Sequence, residues 1–343
     1  MSKITYVGAD VHKTTTTLVF LNSYGKKIGS RRMHTDKVVT YFSNHPIVTI
    51  GMEVGIGTQY LAKKLNQQGH KTKVMPARKI KAFYMGQKND EQDALAVAHA
   101  TMACYIEGIQ LKPTEALIAQ AFLRQREQII RHRVAACNQI RGLLVEHGFK
   151  FSQGINSLID GVKDLLKKNI ISRDLKDMIR LSLKIIEFHI NIEKPLNKKL
   201  KIIAERNPET KRLQTIPGFG PLGAIAFLIS IGNATTFKRG RDVSAFLGLI
   251  PKQNSSGNKI RLGRITKSGN EYTRCLMIHG ARAFICHGNQ KDKNKQWLLS
   301  VKNRCGYNKA AVAWANKMAR IAWALLIKNA TYKRELVSLK DVA

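Results

Sequence analysis

Acidic residues are scarce in this sequence. Its 343 residues carry 23 Asp and Glu against 58 Lys and Arg, a formal net charge of +35. The excess runs along the whole chain instead of forming a tail. Such a field attracts polyanions, with an affinity that falls steeply as salt rises. Other absences narrow the choice of partner. No stretch of ~18 apolar residues is free of charge; the best candidate, Ala310 to Ile327, is interrupted by Lys317 and Arg320. The N-terminus has no signal-peptide pattern, so a membrane is not the expected partner. The five cysteines (Cys104, Cys137, Cys275, Cys286 and Cys305) include no C-x-x-C pair. That argues against structural zinc and a disulfide framework, and for a reducing cytoplasm. A P-loop lysine motif is also missing, so nucleoside triphosphate chemistry is not expected. Nucleic acid is the leading partner. Hydrophobic content of 44% marks a globular chain, and its length suggests two or three domains.

What is present is organised around the first strand, Ile4 to Asp10, a β-branched and aromatic run that ends in Gly-Ala and a carboxylate. A second strand, Thr14 to Phe20, follows the polar Val11-His12-Lys13, and Tyr24 to Lys27 reads as a turn into a third. Ile47 to Glu53 repeats the pattern of a buried strand ending in an acid. A helix over Tyr60 to Gln67, a short strand over Thr72 to Met75 and the basic Arg78-Lys79-Ile80-Lys81 come next. Asn89 to Asp93 then opens an alanine-rich helix. This is an α/β layout with one central sheet over residues 1–108. Residues 109–207 change character. Apolar positions recur at helical spacing from Glu115 to His147 and again from Leu175 to Ile203, where Pro195 predicts a kink. Two long helices with a shorter one between them form either a coiled-coil oligomerisation arm, with Ile179, Leu183, Ile186 and Ile190 facing a partner, or an ordinary bundle.

Residues 208–343 form the third expected domain, mainly helical. Thr215 to Ala224 resembles a helix-hairpin-helix turn. Gly218 and Gly220 could bring backbone N–H groups to phosphate there, although such turns also serve only for packing. Beyond an apolar helix, Val243 to Leu249, lies a basic, glycine-punctuated loop with Lys252, Ser255, Ser256, Arg261, Arg264 and Lys267, followed by Arg274. A serine there could be a nucleophile beside phosphate, or part of a phosphate-contacting surface loop. The helix around Trp314, Met318, Ile321 and Trp323 reads as core.

Among the few acids, Asp10, Glu53, Asp90 and Asp93 stand out, two at strand ends and two on one side of a helix start. Acids in a first turn also complement the helix dipole, and Asn89 with Gln92 makes a capping box. In so basic a chain, four such carboxylates have the composition of a two-metal phosphoryl-transfer site.

Gly8 to Lys13, Gly51-Met52-Glu53 and Lys88 to Ala94 together resemble the DEDD transposases of the insertion-sequence 110 family. Phe246 to Pro251 through Ser256-Gly257, Arg264 to Asn270 and Ile278 to Ala283 resemble that family's second domain, closest to its 1111 subgroup. The resemblance implies an RNase H/RuvC-like first domain whose tetrad Asp10, Glu53, Asp90 and Asp93 binds Mg²⁺, two ions for which Mn²⁺ can substitute. It implies a nucleophilic serine at Ser256, with Ser255 the neighbouring alternative. It also implies a bridge RNA, a non-coding guide that pairs with target and donor DNA, and a tetrameric protein. The expected function is a DNA recombinase. A junction-resolving metal-dependent nuclease and a non-catalytic nucleic-acid-binding protein are the alternatives. The expected nucleic-acid contacts are Lys13, Arg78, Lys79, Lys81, Gly218, Gly220, Lys252, Arg261, Arg264, Lys267 and Arg274.

Overall fold

The computed structural model describes residues 4–334 except Lys88, Asn169 and Asn258. The chain divides into two units between Pro113 and Thr114.

The first unit is built on a five-stranded sheet of order β3-β2-β1-β4-β5. Strands β1 (Tyr6–Val11), β2 (Thr15–Leu21) and β3 (Lys27–His34) form an antiparallel meander. The Asn22 side chain, which accepts from the Tyr24 and Lys26 N–H groups, closes the second turn. β4 (Thr49–Glu53) and β5 (Lys71–Met75) then add parallel to β1. The crossovers carry α1 (Val38–Ser43) and α2 (Thr58–Gln67). These cover one face, where Val7, Ala9, Leu18, Phe20, Ile50 and Met52 meet Phe42, Leu61 and Leu65. A short α3 (Ala77–Ile80) leads to α4 (Asp90–Met102), which lies on the opposite face against Val19 and Leu21. The mixed α/β sheet agrees with the RNase H-like expectation. The outer strand β3 carries Lys27, Arg31 and Arg32 on exposed or half-exposed positions, a charged edge that discourages pairing with another sheet.

The second unit begins with two long antiparallel helices, α5 (Thr114–Glu146) and α7 (Arg173–Arg206), with α6 (Ile155–Lys167) between them in sequence. Pro195 lies within α7, which continues past it to Arg206. Ile179, Leu183 and Ile186 are buried in a core shared with Cys137, Ile140 and Leu144 of α5 and Leu158 and Val162 of α6, and Ile190 packs against it. The stripe expected to face a partner subunit therefore serves the chain's own bundle. At the other end, Leu196, Leu200 and Ala204 of α7 share a core with Ala119 and Leu123 of α5 and Ile225, Ala226 and Ile229 of α9. The long helices are thus rooted in the C-terminal helices and share one unit with them.

Those are α8 (Pro208–Leu213), α9 (Pro221–Ile231), α10 (Gly240–Phe246), α11 (Glu271–His287), α12 (Lys293–Cys305) and α13 (Tyr307–Lys328). Between α10 and α11 a two-stranded hairpin, β6 (Pro251–Gln253) with β7 (Leu262–Ile265), replaces the expected open loop. α13 is long and apolar enough to cross a membrane. Its Trp314, Ala315, Met318 and Ala319 are fully buried in the helical core, and Trp314 Nε1 donates to the Pro217 carbonyl.

Candidate functional site

Two glycines bring α4, with Asp90 and Asp93 at its start, against the strands that carry Asp10 and Glu53. Gly8 and Gly51 are register partners on β1 and β4, on the face that α4 covers. A Cβ at Gly8 would lie 2.0 Å from the Ala94 carbonyl oxygen, and one at Gly51 would lie 1.6 Å from Thr101 Oγ1. Backbone therefore meets backbone at Gly8, where Ala94 and Ala98 supply the matching small surface, and at Gly51 the Thr101 side chain occupies the place of a Cβ. Two residues further along each strand the same face carries Asp10 and Glu53. The start of α4 is capped by Asn89, whose side chain accepts from Gln92 N–H at 2.8 Å, and it presents Asp90 and Asp93 to that edge.

Asp10, Asp90 and His12 form one cluster, each offering a ligand atom within 4.8 Å of the others. His12 Nε2 lies 3.1 Å from Asp10 Oδ2 and 3.9 Å from Asp90 Oδ1, while Arg32 Nη2 lies 3.4 Å from Asp90 Oδ2. Burial raises the Asp10 pKa above the ordinary carboxylate value. Asp93 and Asp90 push the same way, against the opposing effect of His12. Among the described residues, Asp93 Oδ1 is buried with no hydrogen-bond partner. Asp10 Oδ2 is buried likewise and faces His12 Nε2 at 3.1 Å. Tyr84 belongs to the same neighbourhood. Burial, then the charges of Asp93, Glu53 and Asp10, hold its phenol above the usual range. Buried carboxylates that repel one another fit a divalent cation; Asp10 and Asp90 bring ligand atoms together with His12, Asp93 lies close enough to raise the Asp10 pKa, and Glu53 is placed only by its effect on Tyr84.

His12, Arg32 and Tyr84 were not among the residues singled out from sequence. For Arg32 the available signal was strand register: Asp10 pairs with Thr17 and Thr17 with Arg32, so all three lie on one face in one row across β1, β2 and β3. Of the expected contacts in this unit, Lys13, Arg78 and Lys81 are exposed. Lys79 is half-buried, and its Nζ donates to the Glu107 carbonyl at 3.0 Å.

In the second unit, Ser256 sits at the exposed tip of the β6–β7 hairpin, in a backbone bridge with Lys259. Ser255 Oγ accepts from the Arg261 N–H at 3.1 Å, which ties that hydroxyl into the hairpin. Lys252, Arg261, Arg264 and Lys267 are exposed around it. Arg274 is not. It is buried, and Nη1 donates to the Ser268 carbonyl at 2.9 Å and to the Leu247 carbonyl at 3.3 Å. The guanidinium pins the turn after β7, and Arg274 leaves the set of nucleic-acid contacts. Gly218 also has a packing role. At φ +83° it meets Gly280 of α11 so closely that a Cβ would stand 2.4 Å from the Gly280 carbonyl oxygen. Gly220, by contrast, is exposed at the start of α9.

A mixed sheet whose edge gathers carboxylates, in a chain of this charge, is the arrangement of enzymes that act on nucleic-acid phosphodiesters. Residues 210–296 match the family described as Transposase IS116/IS110/IS902, and residues 7–149 match the DEDD transposase domain of the IS110 type. The chain is 34% identical to the transposase for insertion sequence element IS1111A of Coxiella burnetii, over 97% of this chain and 92% of that protein. It is 31% identical to a probable family 20 transposase of Pseudomonas aeruginosa, over 95% and 98%. It is also 25% identical to the transposase for insertion sequence element IS1328 of Yersinia enterocolitica, over 97% and 100%. The chain belongs to the IS110 family of DEDD transposases.

Proposed function

We propose that this transposase cuts and rejoins DNA strands through a serine nucleophile and a Mg²⁺-binding tetrad of Asp10, Glu53, Asp90 and Asp93. The observation that carries the metal half is the buried, unpartnered Oδ1 of Asp93 close to the buried Asp10 carboxylate at the seam of β1 and α4. These carboxylates would hold Mg²⁺, or Mn²⁺ in its place, and the ion would supply charge neutralisation of phosphoryl oxygens and easier loss of a hydroxyl proton. Ser256 Oγ forms a bond to the phosphorus of a DNA phosphodiester. The bond from phosphorus to one deoxyribose oxygen breaks, and that oxygen leaves with a proton. The phosphoserine ester keeps the bond energy, so a deoxyribose hydroxyl from another strand can displace Ser256 and reseal DNA without an external energy source. Ser256 is preferred to Ser255 because the Ser255 hydroxyl already accepts from Arg261. Lys252, Arg261, Arg264 and Lys267 position the phosphate backbone around the hairpin, with Lys13, Arg78, Lys79 and Lys81 as contacts of the first unit and Gly220 presenting backbone at α9.

The reading includes a guide RNA, for which the chain-wide positive charge supplies a binding field. RNA should co-purify with the protein, and its sequence should match DNA flanking the element. Ribonuclease treatment should abolish site-specific cutting. Undiminished cutting after complete RNA removal would remove the guide from the reading.

Oligomerisation, a tetramer in this reading, calls for a different surface from the one first expected. Leu181, Ile185 and Phe188 form a second apolar stripe on α7 and are 60%, 43% and 61% exposed. Leu181→Glu with Phe188→Glu should lower the mass seen by light scattering from that of a tetramer to a dimer or monomer, with helix content retained. Unchanged mass would place the contact elsewhere.

A further inference from the structure

Beside the carboxylate cluster an open groove of about 480 Å³ is lined by Thr17, Ser30, Arg32, Asn89 and Asp90, among others. It lies on the face that carries Asp10, since Thr17 and Arg32, which line it, share a register row with Asp10. Arg32 is 65% exposed at its side chain, yet it is drawn to Asp90 Oδ2 at 3.4 Å. Ser30 Oγ donates to Glu91 Oε1 at 2.7 Å, and Lys27 pairs with the same oxygen. Glu91 is thus provided with partners of its own. Among the described residues, the anionic partner of Arg32 is Asp90, a member of the proposed metal cluster, and a divalent ion on Asp90 would repel the guanidinium and draw off the negative charge that holds it.

From this geometry we infer that Arg32 is a positioning residue with two alternating partners. It neutralises Asp90 while the cluster is metal-free, and it takes a backbone phosphate of the bound strand in the groove once metal holds Asp90. The inference rests on the carboxylates' proposed metal-binding role. A guanidinium suits the second partner because its planar fork matches phosphate oxygens, and the long side chain can swing into the groove without disturbing β3. The groove thereby lies beside the cleavage site as a binding place for a phosphate next to the one that reacts. Arg32 couples the two events: a strand is gripped there only when the cluster is charged with metal.

The two partnerships predict effects of opposite sign for Arg32→Ala. Mn²⁺ titrated into DNA-free protein and followed by electron paramagnetic resonance should bind more tightly to the variant, by about two- to fivefold, the scale of an exposed ion pair. Binding of a labelled mixed-sequence duplex, measured in Ca²⁺ without cleavage, should weaken, and the slope of log affinity against log salt should fall by about one. In EDTA the duplex affinity of variant and wild type should agree, because Arg32 is then held by Asp90. Arg32→Lys should restore most of the Mn²⁺ behaviour and only part of the duplex affinity. Equal or weaker Mn²⁺ binding by Arg32→Ala, or the same duplex deficit in EDTA as in Ca²⁺, would overturn the inference while leaving the tetrad intact. A wild type that binds no Mn²⁺ would overturn both readings together.

Discussion

Supercoiled DNA incubated with Mg²⁺ and any one of the variants Asp10→Asn, Glu53→Gln, Asp90→Asn or Asp93→Asn should stay uncut. The wild type should nick or linearise it and should stop in EDTA. Each variant keeps the shape of its side chain and removes one anionic ligand. A loss of at least ~10²-fold is expected, the scale for removing an electrostatic stabiliser of the transition state. Near-normal cutting by two of them, or by the wild type in EDTA, would dismiss the tetrad. Stability should move the other way for Asp10. Its folded pKa lies above the ordinary 3.8 because burial, then Asp93 and Asp90, disfavour the anion. The unfolded chain therefore gives up this proton at lower pH than the folded one. The resulting penalty is absent below the unfolded pKa, grows as pH rises through the folded pKa, and is fully present at neutral pH. Metal-free Asp10→Asn should accordingly melt above the metal-free wild type at pH 7, and the two should converge in acid. A variant that is both inactive and more stable has lost a ligand without damage to its fold.

The second large effect separates a recombinase from a hydrolytic nuclease. If water attacked the phosphodiester, Ser256→Ala would lose at most some affinity and cutting would continue. If Ser256 Oγ forms the bond, the substitution removes the nucleophile and cutting falls to background. DNA binding should persist, because Lys252, Arg261, Arg264 and Lys267 remain and phosphate contacts supply most of the affinity. Wild-type reactions stopped in detergent should contain DNA that migrates as a protein adduct, and peptide mapping should place it on Ser256. Ser255→Ala should retain the adduct but destabilise the hairpin, since Ser255 Oγ accepts from Arg261. Full cutting by the Ser255/Ser256 double alanine variant, or an adduct on neither serine, would put the nuclease ahead.

Much of the first unit can be read directly from sequence, because strands of the kind Tyr6–Val11 and Thr49–Glu53 have a strong local pattern, with an acid in the last or penultimate position. The start of α4 is equally legible from its Asn89 cap. What periodicity could not assign was direction. α7 has two apolar faces, one with Ile179, Leu183 and Ile186 and another with Leu181, Ile185 and Phe188. Spacing alone does not say which of them meets α5 and α6. Arg274 shows the same limit in another form. A basic residue in a basic stretch reads as a phosphate contact whether its guanidinium faces solvent or backbone carbonyls. Here the Asn270 cap turns Arg274 inward on the first turn of α11. His12 and Arg32 escaped notice because their relation to Asp90 is one of strand register and helix placement, not of sequence distance.

The seam between the sheet and α4 has a consequence for the fate of this gene in a genome. Duplicate copies of a mobile element drift once their activity no longer matters, and a copy is commonly judged dead when a catalytic acid is lost. At Gly8, however, a single added carbon would meet the Ala94 carbonyl oxygen and the Ala98 N–H of α4, and only a shift of that helix would make room. Asp90 and Asp93 would leave with the helix while all four acids still stood in the reading frame. A copy with a side chain at position 8 is therefore expected to be inactive, however complete its motif.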